Sequence, residues 1–387
     1  MTGPSPTRRL IVGALPGLAA LLVGLGLARF GYTPLLPALI ERHWLEPAEA
    51  IYLGAANLAG YLGGSMLAAW LALRYPAGWL VRLAMLAGAV SFIACALPLG
   101  FWWFAPWRFL AGFIGGVLVV LAVPLCLANL PLEMRGRGAG IMFTGVGIGI
   151  AASGTLVPML ARQDLSTVWL GIAALGLMLT FLAWRSWGAG DAAAQSAPAD
   201  SEAGPVLSKA VWLLLLAYGL DAFAFVPHTV FWVDFIARGL GRGLAEGGSF
   251  WVLYGVGALC GPILAGLMAE KLGFQRAVVV CFFIKAVGLL LPVLSTARPS
   301  LAVSAMLVGA LTPGISAITS GRVAELVGAA RHRMVWGWMT TAFAVAQAAS
   351  AYGLGFLFTV THSYLLLYLI GGILLIVGGL LAMGSRR

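Results

Sequence analysis

Twelve long apolar segments constrain the fold of this chain more than any other feature. Each is long enough to cross a bilayer, because about 20 apolar residues in a helix span a hydrocarbon core of about 30 Å. The chain is 61% hydrophobic and only 9% charged, which excludes an ordinary water-soluble domain. The predicted membrane spans, numbered 1 to 12, are residues 10–40, 50–73, 79–100, 104–128, 138–160, 166–187, 209–237, 248–269, 275–295, 299–320, 334–360 and 362–383.

A segment of small and acidic residues, 188–208, divides the spans into two groups of six. Its Ala, Gly, Ser and Pro content cannot bury a core, so we predict a disordered linker. The expected architecture is an all-α membrane protein with a six-helix bundle over residues 1–187, a cytoplasmic linker over 188–208 and a second six-helix bundle over 209–387.

The basic residues are distributed unequally between the two predicted sides of the membrane. An even number of spans places both termini on one side, which carries 15 Lys and Arg residues against 5 on the other. Because cytoplasmic loops are enriched in Lys and Arg, we expect cytoplasmic termini and a multi-pass protein of the inner (plasma) membrane. The formal net charge of +10 follows from this bias and requires no nucleic-acid partner.

Two stretches recur in the same order in the two halves. The sequence FGYTP at 30–34 in span 1 matches FAFVP at 223–227 in span 7, and Arg137 before span 5 matches Arg333 before span 11. The offsets are 193 and 196 residues (223 minus 30, and 333 minus 137). Offsets this similar predict two homologous, pseudo-symmetric bundles.

The most specific motif, GLMAEKLGFQR, lies between spans 8 and 9 at residues 266–276. It resembles the loop 2–3 signature of the major facilitator superfamily. The segments GLGLARFGYTPLLPAL, AANLAGYLGG and GRGAGIMFTGVGIGIAASG are similar to the YbfB/YjiJ-like branch of that superfamily. The resemblance implies the major facilitator fold and a secondary transporter (symport or antiport) that works by alternating access.

In the superfamily, the acid of this motif ties the cytoplasmic ends of the two halves together. The resemblance therefore implies a gating role here, and the alternative is an ordinary loop charge pair worth under about 1 kcal/mol. Arg135 and Arg137 at the start of span 5 are the expected partners, since a carboxylate suits a helix N-terminus. The gating residues are Gly266, Glu270, Lys271, Gly273, Arg276 and Arg137.

Four ionisable residues lie within spans: Arg29, Arg108, Asp221 and Lys285. Charged groups in the bilayer are costly and usually face a cavity or a partner. Spans 1 and 7 line the central cavity in the superfamily, so we expect Arg29 to bind an anionic substrate group while Asp221 competes for it. The alternatives are a structural ion pair or separate local partners. As the only carboxylate deep in a span, Asp221 is also the expected proton-coupling residue.

Arg108 begins an Arg-x-x-x-Gly sequence that resembles the fourth-helix motif of proton-coupled facilitators. This makes Arg108 a candidate substrate-binding residue. Two alternatives are close helix packing at Gly112 and Gly116, and a side chain that snorkels to the interface. Lys285 is expected to turn inward towards a structural partner rather than to bind substrate.

The uncharged candidates for substrate binding are Tyr32, Asn57, His228 and Gln347. His228 lies seven residues after Asp221, two turns along one helix face, and could relay protons. A hydrogen-bonded packing histidine is the alternative. Asn57 and Gln347 could equally join helices.

The deep charges sum to +2, from three basic groups and one acid, which favours a small organic anion such as a carboxylate or a phosphorylated or phosphonated metabolite. One alternative is a proton-coupled exporter of amphipathic or cationic compounds that bind at Asp221. Another is a non-transporting membrane receptor or assembly partner. No zincin, P-loop or nucleophile pattern occurs, so we predict no enzyme, catalytic residue, cofactor or metal. The expected partners are the solute, a proton and the lipid bilayer, with the protein as a monomer.

Overall fold

The computed structural model of the protein describes residues 5–187 and 208–385. Throughout these ranges the regular structure is helical, which confirms the predicted all-α fold. The chain divides into two compact units, Met1–Ala197 and Pro198–Arg387. The predicted linker, apart from Ser208, lies outside the described residues.

The first unit contains spans 1 to 6. Span 1 consists of two helices with a π-helical segment, Leu22–Leu27, after the first of them, and the last span ends in a 3₁₀ turn, Trp184–Trp187. The helices are Pro6–Leu21, Tyr32–Glu41, Pro47–Ala72, Ala77–Ala94, Phe101–Ala128, Leu132–Leu160 and Leu165–Ala183.

The second unit contains spans 7 to 12. Span 7 includes two π-helical segments, Pro227–Phe231 and Phe235–Gly239. Spans 10 and 11 form one helical segment that is interrupted at Gly328. The φ of Gly328 is 76°, in the left-handed region that favours glycine. The helices are Lys209–Ala224, Trp232–Asp234, Gly243–Leu272, Phe274–Leu294, Arg298–Thr361 and Tyr364–Gly384.

Eleven helical segments of the described chain are long and apolar enough to cross a membrane. The helix Pro47–Ala72, which corresponds to predicted span 2 (residues 50–73), has 26 residues but is not among the eleven. Its sequence is rich in Ala and Gly, which are only weakly hydrophobic. This helix is defined at its start by a capping box of Glu46 and Glu49, with a proline at the first helical position.

In the first unit, spans 2 and 4 approach each other at glycine residues. A Cβ atom on Gly112 would collide with the carbonyl oxygen of Asn57, and one on Gly64 with that of Phe113. Because small residues let helix backbones approach closely, these glycines determine how the two spans pack. Close helix packing was one of the alternative explanations for the Arg-x-x-x-Gly sequence at Arg108.

The second unit repeats this arrangement between spans 8 and 10. A Cβ atom on Gly261 would collide with the carbonyl oxygen of Ala310, and one on Gly309 with that of Tyr254. The shared use of glycine at equivalent helix pairs agrees with the predicted internal repeat.

Candidate functional site

In the first unit, the predicted site residues gather around the carbonyl group of Ala28. In a regular α-helix this carbonyl would accept from the amide of Tyr32, but that amide donates to the Arg29 oxygen at 3.4 Å. Two side chains donate to the Ala28 oxygen: Asn57 Nδ2 at 3.2 Å and Arg108 Nη2 at 3.0 Å. The irregular turn after the π-helical segment therefore creates a polar junction of spans 1, 2 and 4.

Arg108 is buried at the centre of this junction, with 1% of its surface exposed. Its guanidinium carbon lies 4.4 Å from the centroid of the Tyr32 ring and 6.0 Å from that of Trp169. Among the described residues, no carboxylate forms an ion pair with Arg108, and its Nε has no hydrogen-bond partner. Such burial excludes the snorkelling alternative.

Asn57 and Tyr32 hold the surroundings of Arg108 in place. The Asn57 amide donates to the Arg108 carbonyl oxygen at 3.0 Å as well as to Ala28, so it joins three spans. The Tyr32 hydroxyl donates to the Ala50 oxygen at 2.8 Å. Both side chains therefore act at least as contacts between helices.

Arg29 directly follows Ala28 and is half-buried. Its guanidinium carbon lies 4.9 Å from the centroid of the Phe30 ring and 5.1 Å from that of Tyr61. These are cation–π distances, so aromatic rings help to position the cation.

In the second unit, Asp221 and Lys285 form a buried ion pair. Lys285 Nζ lies 2.6 Å from Asp221 Oδ1, and both side chains are fully buried. The same ammonium lies 4.7 Å from the centroid of the Phe225 ring. Asp221, which the prediction associated with Arg29, therefore pairs with Lys285, for which no partner was predicted, across spans 7 and 9.

His228 is fully buried between spans 7, 10 and 12. The Ser304 hydroxyl donates to the Gly288 oxygen at 2.7 Å, so it accepts from His228 Nε2 at 2.8 Å. The imidazole stacks on Trp232 with ring centroids 4.3 Å apart. These contacts fit a packing histidine, although Nδ1 has no hydrogen-bond partner among the described residues.

Gln347 is fully buried, and neither of its amide atoms has a hydrogen-bond partner within the described part of the chain. Three residues later, the Ser350 hydroxyl donates to the Phe223 oxygen of span 7 at 2.7 Å. Gln347 therefore lies within one helical turn of a contact between spans 11 and 7.

Sequence reasoning missed a second buried carboxylate, Asp234. The Tyr364 hydroxyl donates to its Oδ2 at 2.5 Å, and Arg238 Nη1 lies 3.1 Å from its Oδ1. Asp234 lies close to the end of predicted span 7 (residues 209–237), so the prediction that Asp221 is the only carboxylate deep in a span stays a prediction. An acid inside the apolar run FWVDFIA, with an arginine four residues later, was the available signal.

The motif after span 8 lies at a helix end. Gly273 has a φ of 79° and separates the helices of spans 8 and 9. Glu270, Lys271 and Arg276 are exposed, as is Arg137 before span 5, while the Arg333 side chain falls outside the described part. The gating role of these residues stays a prediction.

Comparison with known proteins identifies the fold and the family. The D-xylose–proton symporter is similar in structure, with a TM-score of 0.76 over 99% of this chain and 98% of the symporter; at 16% sequence identity this likeness shows the fold alone. No curated protein matches the sequence. The family profile described as "Uncharacterised MFS-type transporter YbfB" matches residues 21–383. The chain therefore belongs to this YbfB-type family of major facilitator superfamily (MFS) transporters, and it is a multi-pass membrane transporter rather than an enzyme.

Proposed function

We propose that this secondary transporter moves a small organic anion by alternating access. The observation that carries the proposal is Arg108, a buried cation without a carboxylate partner among the described residues. An unpaired buried charge costs several kcal/mol, and a bound anion would offset that cost. The planar guanidinium fork matches a carboxylate or a phosphate, and Arg29 supplies a second cation to the same unit.

The first test is an Arg108→Lys substitution, which keeps the charge but removes the fork. Thermal unfolding of the purified protein is measured with D-gluconate, glucose 6-phosphate and methylphosphonate as probes. Binding to the folded state raises the melting temperature, so we expect at least one anion to stabilise the wild type. For the variant, we expect about 10- to 100-fold weaker affinity, because one charge-assisted hydrogen bond is worth about 1.5–3 kcal/mol.

Arg82→Lys is the matched control, because Arg82 also donates to a carbonyl oxygen, that of Trp184 at 2.8 Å, but lies exposed. We expect this variant to keep the wild-type response. Stabilisation by organic cations instead of anions would favour the exporter of cationic compounds. Saturable binding without flux in proteoliposomes would favour the receptor.

The ion pair in the second unit argues against the alternative of an exporter of cationic compounds. It needs the negative charge of Asp221 for the substrate, but Lys285 already neutralises that charge at 2.6 Å.

We further propose that the coupling ion is a proton carried by Asp221. In a fully buried pair, the carboxylate is stabilised either by the Lys285 ammonium or by a proton of its own. A conformational change that separates the two side chains would therefore load the proton. The structurally similar D-xylose–proton symporter supports a proton as the coupling ion here.

The orientation proposed for the chain is an inner-membrane protein with both termini in the cytoplasm. Alkaline phosphatase fused after Arg387 is expected to be inactive, and green fluorescent protein fused there to be fluorescent. The physical reason is the 15 to 5 distribution of basic residues between the two sides. Phosphatase activity at this fusion point would contradict the orientation.

A further inference from the structure

In the second unit, one face of span 11 packs against one face of span 7. Phe343, Gln347 and Ser350 are four and three residues apart and share a helix face. The centroid of the Phe343 ring lies 4.6 Å from that of the Tyr218 ring, and the Ser350 hydroxyl donates to the Phe223 oxygen at 2.7 Å. Gln347 lies between these two residues along span 11, on the side of the helix that packs against span 7.

Two polar side chains of spans 7 and 11 have atoms without a hydrogen-bond partner among the described residues. Both amide atoms of Gln347 and the Oδ2 atom of Asp221 are buried without a hydrogen-bond partner among the described residues. Burial of an unsatisfied polar group costs free energy, and an apolar side chain in place of Gln347 would avoid that cost. An amide at this position can therefore bond to a ligand that enters in another state of the transport cycle.

The hydrogen-bonding inventory indicates which chemical group would fit. Asp221 Oδ2 and Gln347 Oε1 accept hydrogen bonds, while Gln347 Nε2 donates them. A second carboxylate cannot donate and would be repelled by Oδ2, and an ammonium cannot accept from Nε2. A hydroxyl group both donates and accepts, and it adds no charge to a site where Lys285 already balances Asp221.

We propose that Gln347 and Asp221 Oδ2 form a subsite for a hydroxyl group of the transported solute. Combined with the proposed function, on which this step rests, the substrate is a hydroxylated organic anion. The solute reaches the subsite in a conformation that parts spans 7 and 11, because both side chains are fully buried here. Tyr218, Phe225 and Phe343 provide rings against which the carbon skeleton of such a solute can pack.

Calorimetric titration of the full-length protein in nanodiscs tests the subsite with three probes. D-gluconate carries a carboxylate and hydroxyls, hexanoate has the same carbon number and carboxylate but no hydroxyl, and sorbitol has hydroxyls but no carboxylate. We expect Gln347→Leu to weaken D-gluconate binding about tenfold and to leave hexanoate binding unchanged, as loss of one hydrogen bond would. Gln275→Leu at the start of span 9 is the matched control, expected to affect neither ligand.

Thermal unfolding without ligand shows whether the variant folds. We expect Gln347→Leu to raise the melting temperature, because it removes a buried unsatisfied amide. Equal weakening of D-gluconate and hexanoate would overturn the subsite. The subsite would also be overturned if Gln347→Leu left the ratio of the D-gluconate and hexanoate affinities unchanged and lowered the melting temperature. That result would indicate that the Gln347 amide bonds to a bound water instead of a solute hydroxyl.

Sorbitol separates this proposal from the anion proposal. If the wild type binds sorbitol but neither carboxylate, and Gln347→Leu loses sorbitol, the hydroxyl subsite holds while the anion proposal fails. If the wild type binds neither D-gluconate nor sorbitol, the hydroxyl subsite is overturned.

Discussion

Removal of either charge of the Asp221–Lys285 pair is expected to destabilise the second unit far more than removal of both. Asp221→Asn leaves a buried ammonium, and Lys285→Met leaves a buried carboxylate; each change should cost about 3–5 kcal/mol. The double variant leaves no buried charge at this position, so its stability should return to that of the wild type or exceed it. Thermal unfolding of the four purified proteins measures this double-mutant cycle.

The exposed pair of Arg298 and Glu246 is the matched control. Its atoms approach to 2.9 Å, but the Arg298 side chain is 74% exposed, so Arg298→Met should change the melting temperature little. If Asp221→Asn and Lys285→Met were as mild as this control, the buried pair would not stabilise the unit.

The same double variant separates structural stability from proton coupling. In proteoliposomes we expect it to exchange solute down a concentration gradient, more slowly than the wild type because Asp221 also belongs to the proposed hydroxyl subsite. We expect no accumulation of solute in response to a pH gradient. The reason is that the Asp221→Asn change replaces the carboxylate by an amide, which cannot take up the coupling proton. Accumulation at the wild-type level by the double variant would refute Asp221 as the proton carrier.

Gly112→Ala is expected to produce the second large effect, a loss of stability of about 3 kcal/mol. The added methyl group would collide with the carbonyl oxygen of Asn57, which is backbone and cannot rotate away. Span 2 would have to move, and the Asn57 amide that binds the Ala28 and Arg108 oxygens would move with it. We therefore expect both a lower melting temperature and weaker anion binding.

Gly140→Ala is the control for this prediction. Gly140 is also helical and lies in the first unit, but a Cβ atom there would meet nothing within 4 Å. Since Ala favours a helix over Gly by up to about 1 kcal/mol, this variant should be as stable as the wild type or more so. Similar losses in the two variants would mean that contact between spans 2 and 4 is not the cause.

Several features of the site depended on contacts that no local pattern reveals. Asp221 and Lys285 are 64 residues apart, and the choice of partner depends on how span 9 is rotated about its own axis. A span that is apolar on every side does not show which face will be buried. For the same reason, the pattern around Arg108 left snorkelling open, and only the packing of spans 1, 2 and 4 excluded it.

The helices and the family could be predicted from the amino-acid sequence. A bilayer requires about 20 apolar residues per span and leaves no unpaired backbone groups, so length and composition are sufficient to predict helices. Three contacts became visible only in the packed helices: Arg108 donates to the Ala28 carbonyl, Lys285 pairs with Asp221, and Asp234 is buried against Tyr364. Each contact depends on a local irregularity in a helix or on the rotation of one helix against another. Both result from packing between residues that are far apart in the sequence.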